Sequence, residues 1–267
     1  MRNDGKFNVL GVDVSCVDYD GAASAVIAAA KARRPLKVTA LAVHGVMTGV
    51  LDAGQRWRLN RFDLVTPDGQ PVRWALNLLH GCGLRQRVYG PDLTLEVCRR
   101  AARENLPVFL YGSRPEVLDA LAPELALRAP GLTICGFRPS LFRTSSDDEK
   151  RAIVEEIRAS GAAIVLVGLG CPRQEVWVHE YAQDLGMPLL AVGAAFDFHA
   201  GLLSQAPAWM QKRGLEWLYR LLAEPKRLWR RYLYLNPYFL FLLAAQWTGL
   251  RRFDDGGAEP TGEIGFA

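Results

Sequence analysis

The sequence predicts an α/β fold, a Rossmann-like, mostly parallel sheet with helices on both faces. Three observations carry that prediction. Short, wholly apolar runs such as Ala163–Val167 have the composition of strands buried on both sides. Longer segments rich in Ala, Leu, Glu and Arg lie between them, and Gly-containing turns mark many of the changes from one to the other. In such a sheet ligands bind beyond the carboxyl ends of the strands, so chemistry is to be sought in the turns that follow strands.

Phe7–Cys16 reads as a short strand or hairpin, interrupted by Gly-Val-Asp, and Ala-rich Tyr19–Arg33 as a helix. Leu36–Val43 is a strand and Val46–Leu59 a helix. Phe62–Thr66 is a strand ending at Pro67-Asp68-Gly69, before a helix over Pro71–Leu79. Asp92–Glu104 has an acidic start and basic later turns, which suits the helix dipole. Pro107–Tyr111 is a strand, Pro115–Arg128 a helix and Leu132–Phe137 a strand. Ser145–Ala159 is a helix with three acids in its first turn. Ala163–Val167 leads through Gly168-Leu-Gly-Cys-Pro172 into another helix, and Met187–Val192 closes the series.

The chain has 267 residues, half of them hydrophobic, enough for one substantial core. Its charge is uneven. Nine Lys or Arg and two acids between Lys212 and Arg252 give that stretch +7, while the whole chain carries only +4. Trp217, Tyr219, Trp229, Tyr232, Tyr234, Tyr238 and Trp247 are interleaved with the cations, a mixture suited to a lipid headgroup layer. Nucleic acid is not the expected partner, because no zinc-finger spacing, RNP aromatic motif or clear helix-turn-helix is present. Tyr232–Leu250 is uncharged but broken at Asn236-Pro237, so it is expected to lie on a membrane or pack on a partner rather than span. The five scattered cysteines form no CxxC pair, and the four histidines show no ligand spacing, which points to reduced thiols and no metal site. With no secretory signal evident at the start, a cytoplasmic location is expected. The boundaries are 1–211 for the core, 212–253 for a basic, aromatic helical appendage and 254–267 for a Gly-rich, acidic disordered tail.

Three turns after strands carry polar residues that a fold alone does not require. Asp68 is either a helix cap or Asx turn, or a general base for a hydroxyl nucleophile. Gly168-Leu-Gly170-Cys-Pro-Arg-Gln174-Glu175 begins like a dinucleotide fingerprint, but Arg173 occupies the third glycine position and no acid ends the next strand. No nicotinamide cofactor, and no other cofactor, is expected. What survives is a Gly turn into a helix start that suits an anion such as a diphosphate. Asp197, between two phenylalanines, is either a buried acceptor or a contact to a sugar hydroxyl.

The blocks TPDG, RVYGPDLT, VFLYGS, GLGCPRQE, VGAAFDFHAG and QAPAWMQKRGLEWLYRLLAEPKRLWRRYL, in that order, resemble the WecG/TagA/CpsF family of bacterial glycosyltransferases from about Phe7 to Leu233. The resemblance implies an inverting transfer of a sugar, of hexose or N-acetylhexosamine type, from a UDP-sugar to a polyprenyl-diphosphate-linked sugar. The implied place is the inner face of the cell membrane, in exopolysaccharide or cell-surface polysaccharide synthesis. It further implies Asp68 as the base, Arg87, Gln174 and Asp197 in substrate binding, and Arg220, Arg227 and Arg230 from the appendage, with Arg231 an equal neighbour. Backbone amides after Gly112, Gly168 and Gly170 are expected to help hold the leaving UDP. The family's Thr-x-Asn is replaced by Thr39-Ala-Leu-Ala-Val-His44, so His44, or less favourably Thr39, is expected to make the polar contact. No metal is expected. The partners are the UDP-sugar, the lipid-linked acceptor and the membrane surface, with a homo-oligomer left open. A nonenzymatic, membrane-associated nucleotide-sugar-binding protein is the competing reading.

Overall fold

The amino-terminal strands β1 (Asn3–Val9) and β2 (Val12–Val17) form an antiparallel hairpin turned through Leu10-Gly11, both at positive φ. The computed structural model describes residues 1–267. After the hairpin come α1 (Tyr19–Lys31), β3 (Leu36–Leu41), α2 (Val43–Leu51), α3 (Ala53–Asn60), β4 (Leu64–Pro67) and α4 (Gln70–His80). Then follow α5 (Gly90–Arg103), β5 (Val108–Tyr111), α6 (Pro115–Arg128), β6 (Ile134–Arg138), α7 (Asp147–Ala159) and β7 (Ile164–Val167). The series continues with α8 (Arg173–Leu185), β8 (Pro188–Ala191) and the short α9 (Ala195–His199). A carboxy-terminal group completes the chain: α10 (Ala208–Lys212), α11 (Glu216–Ala223), α12 (Pro225–Arg230), a π-helical turn (Arg231–Leu235) and α13 (Asn236–Trp247).

Strands β3 to β8 make one all-parallel sheet in the order β4-β3-β8-β7-β5-β6. Alternate strand residues feed opposite layers, as a pleat requires. Val165 and Val167 pack with α7, α8, α13 and the hairpin, whereas Ile164 and Leu166 pack with α1, α5 and α6. The expected helices on both faces are therefore present, because each apolar strand run has two sides to bury.

Three expectations change. The helix expected over Val46–Leu59 is two helices, since Asp52 is extended, ends α2 and caps α3 by accepting the Gln55 N–H at 2.7 Å. Helix α13 does not sit on a separate appendage. Phe239, Leu242 and Leu243 are buried in the same core as Val9, Leu10 and Val12, and Gln246 Oε1 accepts the Leu10 N–H at 2.9 Å. No helix is long and apolar enough to cross a membrane.

Residues 254–267, expected to be disordered, are docked. Gly257 passes so close to α3 that a Cβ would lie 2.6 Å from the Ala53 oxygen. Glu180 accepts the N–H groups of Ile264 (2.7 Å) and Gly265 (2.9 Å), and the Ala267 oxygen accepts from Leu141, Phe142 and Ser140. Composition suggested solvation, but backbone groups satisfied by a buried-side carboxylate and by a neighbouring loop hold the segment in place.

Candidate functional site

The turns after β3, β4, β5, β7 and β8 open into one cleft of about 460 Å³, roofed by the carboxy-terminal helices. It carries Asp68 and Asp197 from the core and Arg87, Arg114, Arg220, Arg227 and Arg231 as cations. The sheet's carboxyl edge and the basic segment thus meet at one site.

Asp68 follows β4 directly. Its N–H donates to the Leu41 oxygen at 3.1 Å, and its Oδ1 accepts the Gly90 N–H at 2.8 Å, at the start of α5. Burial raises the carboxyl to about 6, reinforced by Glu216 and opposed by Arg87, the Gly90 N–H and Arg220. A group titrating there is mostly ionised at neutral pH and can still hold a proton, as a general base requires.

Arg87 precedes α5 and is nearly enclosed. Its Nη2 donates to Glu216 Oε2 at 2.5 Å and to Gln211 Oε1 at 3.2 Å, both from the carboxy-terminal segment. The guanidinium lies 4.1 Å from the Tyr89 ring centroid, a cation–π arrangement. Burial alone would weaken its charge, but Asp68 and Glu216 more than offset that and leave its pKa raised. Tyr89 Oη is buried without a partner, and Tyr19 Oη accepts the Tyr89 N–H at 2.9 Å.

On the opposite wall, Gln174 Oε1 accepts the Gly170 N–H at 3.2 Å, while its Nε2 donates to Glu175 Oε1 at 2.9 Å. Thr39 Oγ1 donates to that same carboxylate oxygen at 2.9 Å. Glu175 is fully buried and its carboxyl is raised by burial, opposed by the Gln174 and Thr39 hydrogen bonds. Gly168 permits close packing here, since a Cβ would lie 2.4 Å from the Phe196 ring.

His44 stands in the first turn of α2. Burial and the Arg231 charge lower its imidazole to about 4, so it is neutral at physiological pH, and its buried Nδ1 has no partner. Asp197, in α9, has its carboxyl raised by burial, with Arg114 and Arg227 opposing and Glu224 reinforcing. Arg231 has its pKa lowered by burial.

Most of the expected residues therefore converge: Asp68, His44, Arg87, Gly168, Gly170, Gln174, Asp197, Arg220, Arg227 and Arg231 all line the cleft. Three do not. Thr39 points beneath the floor to Glu175, because its position in the β3 pleat faces α8. Gly112 packs against Leu169 and Gly168, and the residues after it, Ser113 and Arg114, reach the cleft instead. Arg230 lines an adjoining groove with Arg227, Arg231 and His44, its guanidinium 5.2 Å from the Trp229 ring. The Gly170 amide is also occupied by Gln174, so it is not a free anion donor.

Sequence reasoning missed Tyr89, Arg114, Phe142, Glu216 and Trp217 as lining residues. Tyr89 lies inside the RVYGPDLT block, and Glu216 is one of the two acids in the basic run. Nothing local in the sequence placed Phe142 near the cleft. No group of three or more His, Cys, Asp or Glu converges to hold a metal, while five arginines line the cleft beside Asp68, Asp197 and Glu216. Such an arrangement can bind a multiply charged anion beside a carboxylate able to accept a proton. A model of the glycosyl transferase WecG/TagA/CpsF family matches residues 7–253.

Proposed function

The chain belongs to the WecG/TagA/CpsF family of glycosyl transferases, and from that premise we propose that it is an inverting enzyme transferring a sugar from a UDP-sugar to a polyprenyl-diphosphate-linked sugar. The observation that carries this reading is the placement of Asp68, raised towards neutrality, in a cleft shared with five arginines.

Asp68 acts as the base. The Gly90 N–H holds Oδ1, which leaves Oδ2 for the acceptor hydroxyl. As that hydroxyl attacks the anomeric carbon, its proton passes to Asp68. The new carbon–oxygen bond forms while the bond to the donor phosphate breaks, and UDP leaves with the electron pair. Charge builds on the diphosphate in this step, and fixed cations stabilise it more in the transition state than in the ground state. Arg114, Arg220, Arg227 and Arg231 are placed for that task, while neutral His44 offers a hydrogen-bonding edge without adding charge. The Asp197 carboxylate is available to sugar hydroxyls.

Exposed Tyr234, Leu240, Phe241, Trp247 and Leu250 lie beside the carboxy-terminal cations. That mixture supports docking on an anionic bilayer, where a lipid-linked acceptor resides. The test is a panel of UDP-sugars offered with short polyprenyl-diphosphate sugars, read by mass. A product heavier by one sugar, with release of UDP, supports the reading. Binding of UDP without transfer to any acceptor would instead indicate a nucleotide-sugar-binding protein.

A further inference from the structure

Helix α11 lies across the cleft, yet none of its residues is buried. Its apolar side chains Trp217, Leu218 and Leu221 are only half-buried, so polar ties, among them that of Ser204 Oγ with Tyr219 Oη at 2.8 Å, share in fixing where it sits. Two more converge on a single core side chain: Glu216 and Gln211 both bind Arg87 Nη2, at 2.5 and 3.2 Å. Another, from Gln70 Nε2 to the Gln211 oxygen, is longer at 3.4 Å. The Arg87 and Glu216 side chains are only 11% and 12% exposed, so water screens this pair less than it does the surface pairs elsewhere on the protein. One turn further along α11, Arg220 reaches the cleft with its guanidinium 5.5 Å from the Phe198 ring.

We propose that Glu216 is a positioning residue for transfer: through Arg87 it registers α11 on the core, so that the Arg220 cation acts at Asp68. This rests on the reading of Asp68 as the base. The carboxy-terminal segment then supplies a carboxylate as well as cations, and that carboxylate does two things. It holds Arg87 away from full pairing with Asp68, and it opposes proton loss from Asp68 through space. The groups facing Asp68 are Arg87, Glu216 and Arg220, together with Tyr19, which bonds Asp92, and Tyr89. Neutralising Glu216 removes an acid that opposes ionisation of Asp68 and frees Arg87 to pair with it. These two changes favour the ionised base and outweigh the opposite effect of loosening Arg220, whose influence on Asp68 is smaller than that of Arg87 or Glu216.

The experiment is the pH dependence of kcat/KM for Glu216→Gln, Glu216→Asp and Gln211→Ala. Glu216→Gln moves the acid limb to lower pH and lowers turnover by about 10- to 10²-fold, the scale of a small misplacement of catalytic groups. Glu216→Asp keeps the charge, so its limb stays near the wild-type position and part of the turnover returns. Gln211→Ala removes a neutral tie and leaves the limb in place. An acid limb unmoved in Glu216→Gln overturns the proposal, as does a limb moved equally by Gln211→Ala. Should Glu216→Gln lose its thermal unfolding transition, the other two variants still decide: a shifted limb in either rejects the charge role. Asp68→Asn separates this from the underlying reading. Full activity in that variant rejects Asp68 as the base, whereas an inactive Asp68→Asn with an unmoved limb in Glu216→Gln rejects Glu216 alone.

Discussion

Asp68 costs stability at the place where it is proposed to serve chemistry. Its carboxyl titrates near 6 in the folded chain against 3.8 for the free side chain. The folded state therefore binds more protons than the unfolded state between those values, and stability falls as pH rises through that window. Asp68→Asn removes the buried charge and keeps an oxygen for the Gly90 N–H. The expected outcome is a neutral-pH stability gain on the order of 1–3 kcal/mol, seen in denaturant melts, that fades as pH falls towards 4. Turnover falls by about 10²- to 10⁴-fold in the same variant. Asp68 was legible because a turn after a strand is a place where a polar residue must be explained. Thr39 misled for a related reason: which side of a pleat a strand residue faces depends on register, and a single step moves it from cleft to core. His44 was pointed to only by the resemblance, as the polar residue near the family's missing Asn, and its neutrality comes from tertiary burial beside Arg231, which no local pattern encodes.

At the scale of elements, the basic segment divides its labour by helical phase. Arg227 and Arg231 are four residues apart and line the cleft together with Arg220 of α11, while Arg230 lines only the adjoining groove. Arg227→Ala and Arg231→Ala should lower turnover even on a short, water-soluble acceptor. Arg230→Ala should leave that activity intact and weaken only binding to anionic vesicles; equal losses in all three variants would contradict the division. Helix α13 is divided in the same way. Leu242→Ala cuts into the core and should cost about 2–5 kcal/mol in chemical denaturation. Phe241→Ala, on the exposed side, should leave stability unchanged within about 0.5 kcal/mol and reduce vesicle binding. The aromatic, uncharged run from Tyr232 was legible as amphiphilic. That one side of it completes the chain's own core was not, because its partners lie more than two hundred residues away in β1 and β2.

For the whole molecule, the sheet was readable because each parallel strand is a short apolar run between turns. The order β4-β3-β8-β7-β5-β6 was not, since it depends on which strands meet across long crossovers. The docked segment 254–267 was hidden by its composition, as its anchors are Glu180 and the loop from Ser140 to Ser145. Charge is arranged at this scale too, with an excess of cations where the exposed aromatics lie and a net negative remainder. Activity on a lipid-embedded acceptor should therefore fall more steeply with added salt than activity on a soluble one, since vesicle adhesion is screened over about 10 Å at 0.1 M salt. Identical salt curves for the two acceptors would argue against an electrostatic role for the segment. Cutting the chain before α11 is a poor substitute for these point variants, because it removes core as well as cations.

The joining of the hairpin to α13 bears on how the chain is made. Val9, Leu10 and Val12 leave the ribosome more than two hundred residues ahead of Phe239, Leu242 and Leu243, which share their core. Until the later segment is made, the side of the core formed by the hairpin, α2 and α4 stays uncovered, and long-range closure of this kind is slow and prone to aggregation. The helix that seals that side also carries residues suited to lipid, so the surface proposed to meet a bilayer takes shape only when this distant closure is made.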